Sequence, residues 1–263
     1  MKYQIKQLGL GGILDQAFSL IRNHFGLLFG IVAATIVPLQ LIIGFLTNHL
    51  QETIKAGGDV QSLLILQMVL TVFIALPLSV LVNAAVIFAV ASVYLSRPTT
   101  IGECFRHGLK RLLPLIGTMI LAGLAIMGGI ILLVIPGIIF GFWFSLSQHV
   151  TVLENIAGTT ALTRSKALMK GNIGTAFVLG LLLWVIIFGL SLGAGVIPQV
   201  HTRIFAAAFI QGIVTLIATA TFVVFYFSCR CKAENFDLQV LADAIGEENV
   251  DQANEDDVEV VTG

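Results

Sequence analysis

Few side chains inside this chain are equipped for chemistry, and most of those carry no charge. His149 and Glu154 stand five residues apart. Two metal ligands sharing one helical face need a spacing of about three or four, and no third donor lies nearby, so no metal site is expected. Asn83, Gln148, His149 and Gln211, with Gln67, Thr215 and Thr219, interrupt otherwise apolar runs. No Asp, Glu, Lys or Arg falls near the middle of any such run. Proton- and ion-coupled pathways are built from ionisable groups at that depth. Hydrogen bonding between helices is therefore the chemistry expected here, above all from Asn83 and Gln211. The GxSxG, HExxH and P-loop patterns are absent, as are paired carboxylates within the apolar runs, so neither an enzyme nor a cofactor is expected. Cys229 and Cys231 are too close together for an ordinary zinc half-site. Together with Cys104 they are expected to be inert reduced thiols.

The charged chemistry sits at the edges of the apolar runs. Three stretches, at about residues 10–24, 100–112 and 159–171, are amphipathic. In the second, Ile101, Cys104, Phe105, Gly108, Leu109 and Leu112 recur with helical period, while Arg106, His107, Lys110 and Arg111 fall opposite. Thr100 and Glu103 fit a capping box that starts the helix, and Pro114 suggests a bend at its end. The first stretch carries Arg22, and the third carries Arg164, Lys166 and Lys170. Helices split in this way lie in a membrane interface. Their cations, at about 1 kcal/mol each near an anionic surface, attract lipid headgroups. Membrane lipid with anionic headgroups is thus the expected partner, with no nucleic acid.

The elements that position these groups are membrane spans. Hydrophobic residues make up 57% of the chain and charged residues 11%, against about 25% charged in a soluble domain. Spans are predicted at about 25–46, 62–95, 112–134, 137–153, 173–197 and 204–229, each near the ~20 residues a bilayer-crossing helix requires. Pro77 should kink the second span, and Pro136 with Gly137 should turn the third into the fourth. GxxxG pairs at Gly26/Gly30, Gly137/Gly141 and Gly189/Gly193 point to close helix packing. The fold class expected is an all-α membrane protein of six transmembrane helices. They would form three parallel repeats of interfacial helix plus helical hairpin.

With an even number of crossings, twelve of the fourteen basic residues share the side of both termini, leaving only Lys55 and Arg203 opposite. The positive-inside rule then makes both termini cytoplasmic. Residues 1–242 form the membrane domain. From Asp243 onward the chain carries eight acidic side chains and no basic one, so 243–263 reads as a disordered acidic tail.

Pro136, Gly137 and Ile138, then Glu154, then Ala161 and Leu162 with Arg164 and Ser165, and finally Phe236, Asp237, Leu238 and Leu241 carry a resemblance. Their sequence resembles the membrane domain preceding the catalytic barrel of some bacterial glycerophosphoryl diester phosphodiesterases. It is also similar to the stand-alone YciC-like inner-membrane proteins. The resemblance implies the membrane fold in a bacterial plasma membrane. It does not imply the hydrolase activity, which belongs to a barrel for which about 25 residues after Asp237 leave no room. Arg164 and Asp237, both in these stretches, are expected to form an ion pair. The function expected is a non-enzymatic, lipid-associated scaffold, or the membrane partner of a membrane or cytoplasmic protein. The alternative is a small-molecule or lipid carrier with a cavity between the repeats.

Overall fold

The computed structural model describes residues 6–56, 60–195, 199–234 and 236. The expected pairing partner Asp237, together with Leu238, Leu241 and the acidic tail, lies outside the described residues. Among those described, every regular element is a helix: α1 (Leu10–Asn23), α2 (Phe25–Lys55), α3 (Val60–Leu70), α4 (Leu76–Tyr94), α5 (Ile101–Leu132), α6 (Val134–Trp143), α7 (Ser147–Leu153), α8 (Gly158–Met169), α9 (Ile173–Gly195) and α10 (Val200–Glu234). A π-helical turn at Thr71–Ala75 joins α3 to α4. Six segments are long and apolar enough to cross a membrane: Phe25–Lys55, Gln67–Tyr94, Ile101–Leu132, Val134–Leu153, Ile173–Gly193 and Val200–Glu234. Apolar side chains that a soluble protein would bury, such as Leu113, Ile131 and Leu132, stand about 80% exposed, as on a helix surrounded by lipid.

The amphipathic period of the first stretch produces α1. Its buried face is Ile13, Ala17 and Leu20, and it packs on α10. Leu8 donates its backbone N–H to Ser228 Oγ at 2.9 Å, and Tyr94 donates to Gln16 Oε1 at 2.8 Å. The helix α10 is central: Val223, Val224, Phe225, Tyr226 and Phe227 are all buried against α1, α2 and α4. The small residues Ala84, Ala85 and Ala89 line the buried side of α4. There α5 approaches so closely that a Cβ on Gly108 would stand 3.0 Å from the Leu81 carbonyl oxygen.

The helices take up their prolines in three ways. Pro114 sits inside α5, which runs unbroken from the capping box to Leu132. The second amphipathic stretch is thus the first three turns of a spanning helix and not a separate interfacial one. Thr100 Oγ1 accepts from Glu103 N, and Thr100 N donates to Glu103 Oε2 at 2.9 Å, as the sequence indicates. The turn between third and fourth spans falls at Leu133, a single extended residue (φ −162°, ψ 140°). Pro136 lies beyond it in the first turn of α6, where its missing N–H is not needed. At Pro77 the helix meets the clash with the carbonyl four residues back, at Phe73, by widening into the π turn. With α5 undivided, only α1 and α8 are separate helices preceding a span.

Candidate functional site

All three amphipathic stretches meet at one end of the bundle. Gln16 of α1 touches the last residue of α4, Arg111 of α5 donates to the Asn155 carbonyl oxygen, and Arg164 of α8 pairs with Glu234 at the end of α10. At the far end, Phe45 faces His201 and Phe205, so Lys55 and Arg203 lie away from the other cations.

Two features occupy this basic end. The first is a charge network. Arg164 donates to Glu154 Oε2 at 2.8 Å and also bonds Glu234. Tyr226 donates to Glu154 Oε1 at 2.7 Å. Arg230 lies 3.2 Å from Glu234 Oε2 and 4.0 Å from Glu154 Oε1. The Arg230 guanidinium rests 4.1 Å over the Phe236 ring, a cation–π contact. Glu234 first, and then Glu154, hold the Arg164 guanidinium protonated well above its ordinary range. The four charges are only 15–26% exposed, and together they clamp the ends of α7, α8 and α10.

The second is a cavity of about 770 Å³ between the end of α4, the start of α5 and the ends of α7 and α10. Its cationic lining is Arg97, Arg106, Lys110 and Arg230, and its apolar lining includes Phe88, Leu95, Leu153 and Phe227. His107 stacks on Phe88 with ring centroids 4.0 Å apart and donates from Nε2 to the Val152 carbonyl oxygen at 3.0 Å, which fixes the wall between α5 and α7. Arg97, Arg106 and Lys110 are exposed, and none forms an ion pair with a described residue. Glu103, the carboxylate in the lining, is held by the backbone of Thr100.

The expected site residues separate accordingly. Arg106 and Lys110 line the cavity, and Arg111 borders it. Arg164 is committed to carboxylates and not to solvent. Lys166 sits 4.0 Å over the Trp143 ring. Arg22 and Lys170 are exposed at the ends of α1 and α8. Sequence reasoning missed Arg97 and Arg230 as lining residues because they lie on a loop and a span end, where they had registered only as markers of membrane side. It also missed Glu234, whose spacing of four from Arg230 was the available signal.

The intramembrane polar groups also divide. Asn83 Nδ2 donates to Gln148 Oε1 at 2.9 Å and ties α4 to α7. Gln211 does not tie helices as expected: it is exposed, on the wall of a second cavity of about 390 Å³ with Gln40, Ser191 and Arg203. Its side of α10 is not covered by a neighbouring helix, so the amide has none to tie. His149 is buried between the rings of Phe222 and Tyr226, and neither ring nitrogen has a hydrogen-bond partner. Among the described residues no three His, Cys, Asp or Glu side chains are grouped to hold a metal.

Fold and site together define a multi-pass, all-helical membrane protein with an open basic cavity at one end of its bundle. A family model described as "Domain of unknown function (DUF8558)" matches residues 110–259, and the chain belongs to that family. The matched region begins at Lys110 and takes in Glu154, Arg164, Arg230 and Glu234. No curated protein and no solved structure matches the chain.

Proposed function

We propose that this protein is a non-enzymatic scaffold of the bacterial plasma membrane that holds anionic lipid at its basic end. One observation carries the reading: Arg97, Arg106 and Lys110, without carboxylate partners, share the lining of one cavity with Phe88, Leu95, Leu153 and Phe227. Cations in water need no such apolar wall. An anionic headgroup followed by hydrocarbon uses both parts. Each cation near the surface contributes about 1 kcal/mol toward an anionic lipid, and the hydrocarbon adds burial against that wall. The resemblance to the membrane domain of glycerophosphoryl diester phosphodiesterases and to YciC-like proteins belongs to this proposal. Glu154, Arg164 and Ser165, three of the residues that carry it, sit in or beside the charge network; Ser165 donates to the Trp143 carbonyl oxygen at 2.7 Å. A protein partner in the membrane or the cytoplasm is compatible with the scaffold role.

Replacing Arg97, Arg106 and Lys110 together by Gln is expected to reduce co-purifying anionic phospholipid, read by native mass spectrometry, by about tenfold or more. Folding should be spared, because all three side chains are exposed. Unchanged lipid retention with unchanged salt dependence would overturn the reading.

The carrier alternative draws on the second cavity at the opposite end. Packed helices separate the two: Gly212 of α10 lies against α2, where a Cβ would stand 3.0 Å from Val32 Cγ1. That filled core favours a scaffold.

The same proposal places the basic end in the cytoplasm. A cysteine introduced at Gly58 should be labelled by a membrane-impermeant thiol reagent in intact cells, and one at Gly246 should not. The reverse pattern would invert the topology.

A further inference from the structure

We infer that the cavity selects a phosphomonoester on an apolar carrier, a lipid whose phosphate is terminal, over the phosphodiesters that bear a headgroup alcohol. The inference rests on the lipid-binding reading above and concerns which headgroup it takes. It follows from the charges that line the cavity and from how each is already used. Arg230 is balanced within the network by Glu234 at 3.2 Å, with Glu154 at 4.0 Å. The remaining lining charges are Arg97, Arg106 and Lys110 against Glu103, which leaves two positive charges without a counterpart.

A phosphodiester brings one negative charge. A phosphomonoester brings about −1.5 to −2 near neutral pH, with three acceptor oxygens. The lining also disfavours a zwitterionic headgroup. A zwitterionic headgroup requires a free carboxylate for its ammonium. Glu103 is the carboxylate in the lining, and one of its oxygens accepts the Thr100 N–H of the α5 cap at 2.9 Å. Turning it toward a ligand would unmake the start of that helix.

Two guanidinium groups and an ammonium around one opening are donors without acceptors, a set that suits a terminal phosphate. Beside them the lining includes Phe88, Leu95, Leu153 and Phe227. That apolar wall gives the ligand's apolar portion a surface to bury and gives a free phosphate nothing. Phe88 lies in α4 six residues before its last residue, about 9 Å along the helix axis. Its ring stacks on His107, which lies between Arg106 and Lys110 on α5, so the apolar wall stands at the level of these cations.

The test uses the full chain in nanodiscs, with binding measured by native mass spectrometry and competition. Phosphatidic acid and phosphatidylglycerol are compared at equal mole fraction. Inorganic phosphate and glycerol 3-phosphate are added separately as soluble competitors. The expected result is a preference for phosphatidic acid of about tenfold, largely lost in Arg106→Gln. Neither soluble competitor should displace it at millimolar concentration. Equal binding of both lipids, weakened equally by the triple Gln variant, would overturn the monoester inference while leaving anionic lipid binding intact. Binding of both lipids that is indifferent to the triple variant would overturn both. Displacement by glycerol 3-phosphate alone would retain the phosphomonoester and overturn the apolar carrier. Lys55→Gln, exposed at the opposite end of the bundle, is the control and should leave the preference unchanged.

Discussion

Glu154→Ala is expected to destabilise the folded protein by about 3 kcal/mol, because it removes the acceptor that two helices share. Glu154 receives Arg164 on one carboxylate oxygen and Tyr226 on the other, with Arg230 at the edge of ion-pair range. Its side chain is only 15% exposed, so water makes up little of what is lost. After the substitution, Arg164 and Arg230 depend on Glu234 alone, and the buried Tyr226 hydroxyl loses its acceptor in the network. Glu154→Gln should cost less, since it preserves hydrogen-bonding atoms while removing the charge. Arg164→Ala should also destabilise. If the two groups act as one unit, adding it to Glu154→Ala should cost less than the sum of the separate losses. Thermal unfolding in a single detergent measures all four proteins. Full additivity would show that the network consists of independent contacts, and unchanged melting of Glu154→Ala would show that it does not clamp α7, α8 and α10.

That network marks the boundary between what the sequence discloses and what only the fold does. The spans were legible because the number of apolar residues needed to cross a bilayer is a length requirement, met by one run at a time. The α5 start was legible because Thr100 and Glu103 satisfy one another locally. The helix α1 was legible as an amphipathic stretch over residues 10–24, but not that Leu20 would be buried beside Ile13 and Ala17 while Phe18 stands exposed. Arg164 was expected at a headgroup or on Asp237; its partners Glu154 and Glu234 come from different parts of the chain, and no local rule picks them out. The cavity has the same origin. Arg97 follows α4, Arg106 and Lys110 lie on α5, and Arg230 lies on α10; only the packing of α4, α5 and α10 brings them to one opening. Gln211 shows the converse. An amide within a span ties helices only if its side of the helix is covered, and here it is exposed. The Pro136 reading failed for a local reason. A missing N–H can be absorbed by the first turn of a helix, as at Pro136, by a π turn, as before Pro77, or within a continuous helix, as at Pro114.

Gly137→Ala is expected to cost about 2 to 3 kcal/mol, and Gly141→Ala almost nothing, although both belong to one GxxxG pair. A Cβ at Gly137 would stand 2.7 Å from the Ile130 backbone nitrogen and 3.0 Å from its Cα, and one at Gly129 would stand 2.9 Å from Gly137 Cα. These are backbone atoms of the α5–α6 hairpin, whose turn is the single residue Leu133, so neither helix can withdraw without opening the turn. A Cβ at Gly141 meets nothing within 4 Å, and an alanine there gains helix propensity of about 0.5 to 1 kcal/mol. The close approach therefore runs between Gly129 and Gly137 across the turn, not along the GxxxG repeat. The consequence extends to the basic end. At the far end of α6, Trp143 carries Lys166 over its ring and accepts from Ser165 through its carbonyl oxygen, so α6 helps to seat α8 and with it Arg164. Gly137→Ala should lower the melting temperature and, by displacing α8, make Glu154→Ala less costly in the same background. Equal melting temperatures for Gly137→Ala and Gly141→Ala would refute the hairpin argument, and an unchanged cost of Glu154→Ala would break the link from hairpin to charge network.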